Sequence, residues 1–156
     1  MQPKSFNSAK LVQISIAILI SSLLLYTGLH KWWYLPYTIL KLHASPVKWI
    51  GAQASLIAWA LPALEIVISC LILFPARRKF GFVLSAILFA AFTLYLVVLR
   101  NAPPGTVCSC GGFIGSLNLK NHLLLVALAL ALSLVGVSIS RSANSNASIY
   151  KNNIRG

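Results

Sequence analysis

Residues 80–99 have the sequence FGFVLSAILFAAFTLYLVVL, twenty residues without a charged side chain. A helix of this length, rising 1.5 Å per residue, spans the roughly 30 Å of hydrocarbon in a bilayer. The basic triplet Arg77-Arg78-Lys79 precedes the stretch and Arg100 follows it. Basic residues at both ends are typical of a membrane-spanning helix, and we predict one here.

The composition of the whole chain agrees with a membrane protein. Of 156 residues, 58% are hydrophobic and only 9% are charged, whereas soluble domains have about 25% charged residues. The net charge of +12 raises the question of nucleic-acid binding. The basic residues, however, lie singly or as one triplet between apolar runs, which is the pattern of helix ends. We therefore expect a lipid bilayer, and no nucleic acid, as the environment.

Three further apolar runs flank the central one along the chain, and a short amphipathic segment follows the first of them. These runs are residues 11–29, 49–74 and 123–140, and the short segment is residues 37–43, between Pro36 and Pro46. Seven residues cannot span a bilayer, so the short segment is expected at the interface, next to an aromatic cluster at residues 32–34. The prediction is an all-α integral membrane four-helix bundle over residues 11–140, with an interfacial segment between helices 1 and 2. We expect residues 1–10 to be a cytoplasmic N-terminus and residues 141–156, rich in Ser and Asn, to be a disordered basic tail.

Charge counting gives an orientation. Eight Lys and Arg residues fall on the side of the two termini and the second loop, and five fall on the other side. Cytoplasmic segments carry the excess of basic residues. We expect a multi-pass protein of a bacterial inner membrane with both termini in the cytoplasm.

Polar and small residues within the spans indicate which faces meet other helices. In the second span the pattern Ser55, Ala58, Pro62, Glu65, Ser69 recurs at helical spacing, and in the last span Ala129, Ser133, Gly136, Ser140 does the same. In the first span Ser15, Ser22, Tyr26 and His30 form a comparable stripe. Each stripe is expected to face protein rather than lipid.

Glu65 is the only acidic residue of the chain. An acid at the centre of a span costs roughly 2.5 to 3.5 kcal/mol, so an unpaired charge is not expected there. Glu65 can be protonated and donate to a carbonyl freed by Pro62, such as that of Ala58, or it can pair with Lys31. From the span boundaries, Glu65 lies ~20 Å below the start of its helix, beyond the reach of a lysine at the boundary. We therefore expect the neutral, hydrogen-bonded form.

The loop between the last two spans contains Cys108 and Cys110, one residue apart. Pro103-Pro104-Gly105 before the pair and Gly111-Gly112 after it favour an irregular turn. A disulfide closed over one residue is strained, and strained, exposed disulfides are the labile or catalytic ones. As a staple it would constrain the unfolded chain very little. The pair is predicted to be a redox pair outside the cytoplasm, where disulfides persist.

Metal binding is the alternative for this pair. Two cysteines supply two ligands, and only His122 lies near enough in sequence to help complete a tetrahedral site, so no metal site is assigned. A nucleophilic thiol needs local positive potential, which Arg100, Lys120 and His122 can supply. Cys70, near the end of the second span, is expected to be a buried, unreactive side chain.

Several short motifs resemble the MauE/DoxX group of small bacterial membrane proteins over about residues 10–140. Gly28-Leu29-His30-Lys31 resembles a first-helix G-x-x-K, and Leu61-Pro62-Ala63-Leu64-Glu65, after a loop Ser45-Pro46, resembles a second-helix P-x-x-E. Cys108-Ser109-Cys110-Gly111-Gly112 resembles the C-x-C-[FG]-G of the MauE branch, with Gly111 where MauE itself has Phe. The resemblance implies a four-helix membrane bundle that handles thiols or electrons, and in the MauE case supports maturation of a disulfide-rich periplasmic dehydrogenase subunit in methylamine metabolism.

We interpret the chain as a membrane-embedded thiol/disulfide redox component. Cys108 and Cys110 would exchange a disulfide with an extracytoplasmic thioredoxin-like or client protein, and Glu65, Lys31 and His122 would support them. The sequence contains no Rossmann fingerprint, haem motif or iron–sulfur spacing, so the electron carrier would be a quinone or a protein. The alternative is a non-enzymatic assembly or maturation factor for a periplasmic partner. A small transporter is a weaker third interpretation, because the carboxylate beside a proline is not repeated in the second half.

Overall fold

The computed structural model describes the backbone of residues 8–45, 47–100 and 119–153, and Cys108 and Cys110 lie outside these ranges. The described residues form six helices and no strand, as the sequence predicts. They are α1 (Ser8–Trp33), α2 (Leu35–His43), α3 (Lys48–Ala52), α4 (Ala54–Leu73), α5 (Arg78–Arg100) and α6 (Leu119–Asn153).

Four of these helices are long and apolar enough to cross a membrane. The qualifying segments are Lys10–Trp33, Ala54–Leu73, Arg78–Arg100 and Lys120–Ser140. The predicted four-helix bundle is confirmed, and the chain is a multi-pass membrane protein.

The long helices pack in the order α1–α4–α5–α6, and α6 closes the bundle against α1. The core between them is apolar and includes Ile20, Leu24, Ile68, Phe82 and Leu96. Polar side chains join the helices in pairs within this core. Ser21 and Ser69 join α1 to α4 with their hydroxyl oxygens 2.7 Å apart, and Ser85 and Ser133 join α5 to α6 at 3.1 Å.

The short helix α2 occupies the position predicted for the interfacial segment. One residue separates α2 from the end of α1. α2 packs on the start of α4, where Leu42 contacts Ala54 and Ala58 in a second apolar cluster. The second predicted span is interrupted: α3 ends at Ala52, and Gln53, with φ −110° and ψ 22°, separates it from α4. The helix that crosses the bundle therefore begins at Ala54 rather than near residue 49.

The predicted polar faces are confirmed on two helices. Ala129, Ser133, Gly136 and Ser140 are all buried on α6, and so are Ala58, Pro62, Glu65 and Ser69 on α4. Ser55 is exposed, and Ala54, one turn before Ala58, is buried instead.

On α1 the predicted stripe is wrong. Ser15, Ser22 and Tyr26 are exposed, and the buried polar residues of α1 are Ser21 and Lys31. The reason is that α1 turns the face containing Ser21 toward Ser69 of α4, which supplies hydrogen-bond partners for it. Cys70 also differs from the prediction, since its thiol is on the exposed side of α4.

α6 continues through residues 141–153, thirteen residues beyond the end of the apolar segment at Ser140. A helix already formed within the bundle needs no new nucleation to continue, so a polar sequence of modest propensity can extend it.

Candidate functional site

The site is built where α1 and α4 approach each other most closely, at Gly28. A Cβ atom at this position would lie 3.2 Å from the carbonyl oxygen of Pro62 and 3.3 Å from Cβ of Glu65. Only a residue without a side chain allows this spacing without displacement of α4. The Gly-x-x-Lys and Pro-x-x-Glu motifs therefore face each other across one helix contact.

The contact brings Lys31 and Glu65 together. An added Cβ at Gly28 would touch Glu65 as well as Pro62, so in this antiparallel pair Lys31, three residues after Gly28, lies about one helical turn or ~5 Å along the axis from Glu65. Side chains on a helix lean toward its N-terminus, and the N-termini of antiparallel helices point in opposite directions. The two side chains therefore lean toward each other, and Lys31 Nζ donates to Glu65 Oε1 in a buried ion pair.

This contact corrects the expected hydrogen bond from Glu65 to the carbonyl of Ala58, because the partner of Glu65 is Lys31. The span boundaries read from the sequence put Lys31 at the same height in the membrane as the start of the second span. In the structure the first turns of α4 extend past the end of α1 and are covered by α2 instead, at Ala54 and Ala58. The separation along the axis is thus well below the expected value.

The pair is almost completely removed from solvent. Glu65 is 0% exposed and Lys31 is 4% exposed. The Lys31 ammonium also lies over the ring of Phe92, 4.8 Å from its centroid, in a cation–π contact. Desolvated charges in a bundle persist when they are paired and hydrogen-bonded, and both conditions are met on the Oε1 side.

The second carboxylate oxygen has a weaker donor. Thr27 Oγ1 lies 3.4 Å from Glu65 Oε2 and also 3.1 Å from the carbonyl oxygen of Leu24. A hydroxyl has one proton, so Thr27 can donate well to only one of these acceptors. Glu65 Oε2 can therefore accept a further hydrogen bond. Glu65 also lines a cavity.

A small cavity of about 30 Å³ adjoins the ion pair. Its wall includes Thr27, Lys31, Glu65, Phe92 and His122, and apolar side chains complete it. A volume of this size can hold a water molecule where polar groups surround it. The cavity thus places three groups that can exchange protons around one space in an otherwise apolar core.

His122 reaches this cavity from the first turns of α6 and is 5% exposed. The structure therefore brings together Lys31, Glu65 and His122, the three supporting residues predicted from the sequence, although they are on three different helices. Arg100 and Lys120 have exposed side chains outside this cluster. Cys108 and Cys110 lie outside the described residues.

Two members of the site were not predicted. Thr27 precedes Lys31 by four residues and thus lies on the same helical face, which is a signal that the sequence does contain. Phe92 lies in an uncharged span among similar aromatic residues, and nothing in its sequence context distinguishes it.

The end of the bundle that contains this cluster also bears the cysteine loop. α5 ends at Arg100 and α6 begins at Leu119, so the loop of residues 101–118 joins these helices at the end where α1 finishes. His122 is the fourth residue of α6. The ion pair therefore lies in the half of the bundle nearest the loop attachment.

Comparison with known families gives one match. The model of the family described as "Methylamine utilisation protein MauE" matches residues 8–139, which include all four spans, the Lys31–Glu65 pair and the cysteine loop. Searches of curated proteins and of solved structures found no match. With four membrane-spanning helices and a family match over most of its length, the chain belongs to the MauE family of methylamine utilisation proteins.

Proposed function

We propose that this MauE-family protein is a membrane-embedded thiol/disulfide redox component with Cys108 and Cys110 as its redox pair. The observation that carries the proposal is the buried Lys31–Glu65–His122 cluster, which occupies the end of the bundle to which the cysteine loop is attached. A bundle with a purely structural role does not need its sole carboxylate there, since apolar packing is as stable as a buried ion pair.

The chemistry follows from thiol–disulfide exchange. A thiolate of an extracytoplasmic partner attacks one sulfur of the Cys108–Cys110 disulfide and displaces the other as a thiolate. The second partner thiol then resolves the mixed disulfide, which leaves the partner oxidised and the Cys108–Cys110 pair reduced. Reoxidation of the pair releases two electrons and two protons to a quinone, which becomes a quinol, or to the disulfide of a second protein.

In this scheme the buried cluster of Lys31, Glu65 and His122 accepts and releases protons. Glu65, Lys31 and His122 line one cavity, and a proton that moves from the Lys31 ammonium to the Glu65 carboxylate leaves both groups neutral, so the cluster can pass a proton with no unpaired charge in the apolar core. The inner membrane of a bacterium, with the loop outside the cytoplasm, is the location where disulfides persist and where such a pair would meet an extracytoplasmic partner.

The test uses single-cysteine variants. We expect Cys108→Ser or Cys110→Ser, isolated under non-reducing conditions, to retain one partner as a mixed disulfide that mass spectrometry identifies. Redox titration of the native pair should give a reversible transition above about −300 mV, outside the range of structural disulfides. A pair that stays oxidised throughout the titration, or that holds zinc when purified, would contradict the exchange mechanism.

The double variant Cys108→Ser/Cys110→Ser separates this proposal from a non-enzymatic assembly or maturation factor. An assembly factor acts through its surfaces and should retain full activity without either thiol. Loss of partner maturation, with normal accumulation of the variant in the membrane, is the result that the redox proposal requires.

A further inference from the structure

A groove between α1 and α6 opens on the outside of the bundle, in the middle part of both spans. It has a volume of about 390 Å³, and it is lined by five leucines, one alanine, Ser22 and Tyr26. On α1 the groove extends from Leu19 to Tyr26, within the span Lys10–Trp33. None of the described residues that line it is charged. The groove therefore suits a neutral, largely apolar ligand that enters from the bilayer.

Tyr26 presents a hydroxyl group to this groove. Its ring lies against the ring of His30, with 6.1 Å between the centroids, but its hydroxyl makes no hydrogen bond to any residue that the structure describes. A phenol oxygen at the end of a rigid ring cannot turn back to a carbonyl of its own helix, as the hydroxyl of Ser22 can. A hydroxyl surrounded by hydrocarbon is costly without a partner. A hydrogen-bond acceptor from outside the chain would remove that cost.

The groove and the ion-pair cavity share part of their walls. Leu23 of α1 and Leu125 of α6 line both of them, and each is half-buried. Lys31, Glu65 and His122 line the cavity on the inner side of these two leucines. A ligand at this end of the groove is therefore separated by a single layer of side chains from three groups that can exchange protons.

We propose that an isoprenoid quinone binds in this groove, with its ring beside Leu23, Tyr26 and Leu125. Its tail runs along the groove toward Leu132. This inference rests on the proposed function, which needs an acceptor for two electrons and two protons. A quinone fits the groove because it is uncharged, its carbonyl oxygens accept hydrogen bonds and its tail is apolar. The headgroup of a phospholipid does not fit, since it is charged and the middle of a span is costly for a charge.

The reaction balances in electrons and protons. When Cys108 and Cys110 form their disulfide, two S–H bonds break, one S–S bond forms, and two electrons and two protons are released. The quinone takes up both electrons and both protons, and its two carbonyl groups become the hydroxyl groups of a quinol. Each proton that the buried cluster gives to the quinone is replaced by one from the thiols, so the charge of the cluster is unchanged after a full cycle.

The test is photolabelling of the purified full-length chain in detergent. The probe is a ubiquinone with a decyl tail and an azido group on its ring, and mass spectrometry locates the label. We expect the label within residues 22–27 of α1 and beside Leu125 of α6, both in the native protein and in Cys108→Ser/Cys110→Ser. A label confined to other parts of the chain would overturn the site. Complete competition by phosphatidylcholine at equal concentration would instead assign the groove to the acyl chain of a phospholipid.

Two variants have matched controls, and competition by unlabelled decylubiquinone measures the affinity of each. Tyr26→Phe keeps the ring but removes the hydroxyl, and should weaken binding about fivefold, the value of one hydrogen bond. Tyr37→Phe, at an exposed tyrosine outside the groove, should leave the affinity unchanged. Leu128→Trp fills the groove and should abolish labelling, whereas Leu94→Trp, on the exposed face of α5, should not. Equal losses in the variants and their controls would contradict the assignment.

Failure of the quinone site and failure of the redox proposal give different results. If Cys108 and Cys110 titrate reversibly and trap a partner, but the probe does not label the groove, the acceptor is a second protein and the quinone site is wrong. If labelling depends on Tyr26 while the cysteine pair stays oxidised throughout its titration, the binding site is confirmed and the redox proposal is wrong.

Discussion

Lys31 and Glu65 each lower the free-energy cost of burying the other's charge inside the bundle. Either charge alone at the centre of a membrane helix costs roughly 2.5 to 3.5 kcal/mol on insertion scales. Paired, they present no net charge to the apolar core, and the ring of Phe92 contributes a further favourable contact to the ammonium. The sole acid of the chain is therefore committed to one lysine.

This pairing predicts a specific pattern in a double-mutant cycle. Glu65→Gln leaves the Lys31 ammonium buried without a counter-ion, and we expect it to lower the free energy of unfolding by about 3 kcal/mol. Lys31→Met should do the same by leaving the carboxylate unpaired. The double variant should recover most of the loss, because it removes both charges. Unfolding in detergent, followed by circular dichroism, measures all three.

Lys48→Met is the control for this cycle, since Lys48 is exposed and should have little effect. If the losses of the two single variants add in the double variant, the residues do not act as an ion pair.

The packing of whole helices depends on close approaches at glycines. Gly81, in the first turn of α5, is closest to the end of α4: an added Cβ would lie 2.7 Å from the backbone nitrogen of Ile72 and 2.8 Å from its Cγ1. At Gly28 the corresponding distances to α4 are 3.2 to 3.3 Å. The turn between α4 and α5 is therefore tighter than the contact that holds the ion pair.

We expect Gly81→Ala to destabilise the bundle by about 1 to 3 kcal/mol, because α5 must move away from backbone atoms that cannot adjust. In an unconstrained helix the same change stabilises by about 1 kcal/mol, so the sign of the effect is diagnostic. Thermal unfolding in detergent gives that sign, and Gly28→Ala should have a smaller effect. A more stable Gly81→Ala variant would show that the α4–α5 contact is looser than described.

At the scale of the whole molecule, the ion pair changes the charge balance between the two ends. Counting from the sequence gives eight basic residues on one side and five on the other. Lys31 is one of the five, but it is buried and paired with Glu65, so four remain to face the medium. The charge bias that predicts a cytoplasmic location for the termini and the α4–α5 turn is thus larger than the sequence count suggests.

The orientation predicts the labelling of cysteines in intact cells from which the outer membrane has been removed. After reduction, Cys108 and Cys110 should react with a charged, membrane-impermeant maleimide added outside. Cys70 should not react, because its exposed face lies within a span and contacts lipid rather than water. A Cys70→Ser variant assigns the signal to the loop. Labelling of the loop only after permeabilisation would reverse the orientation.

The sequence by itself determined the four spans, the short helix after the first span and the grouping of Lys31, Glu65 and His122 as residues of interest. These features depend on the length and hydrophobicity of each segment and on short motifs, all of which are local along the chain. The inward faces of α4 and α6 were also predictable, because small and polar residues recur there at helical spacing.

The tertiary structure alone decided the partner of Glu65 and the buried face of α1. Whether Lys31 reaches Glu65 depends on how far α1 is shifted along α4, and the close contact at Gly28 fixes that shift. Likewise, α1 has polar residues on more than one face, and only the position of Ser69 on α4 determines that Ser21 turns inward. Both outcomes are relations between helices, and hydrophobic periodicity within one helix contains no information about its offset or rotation relative to the next.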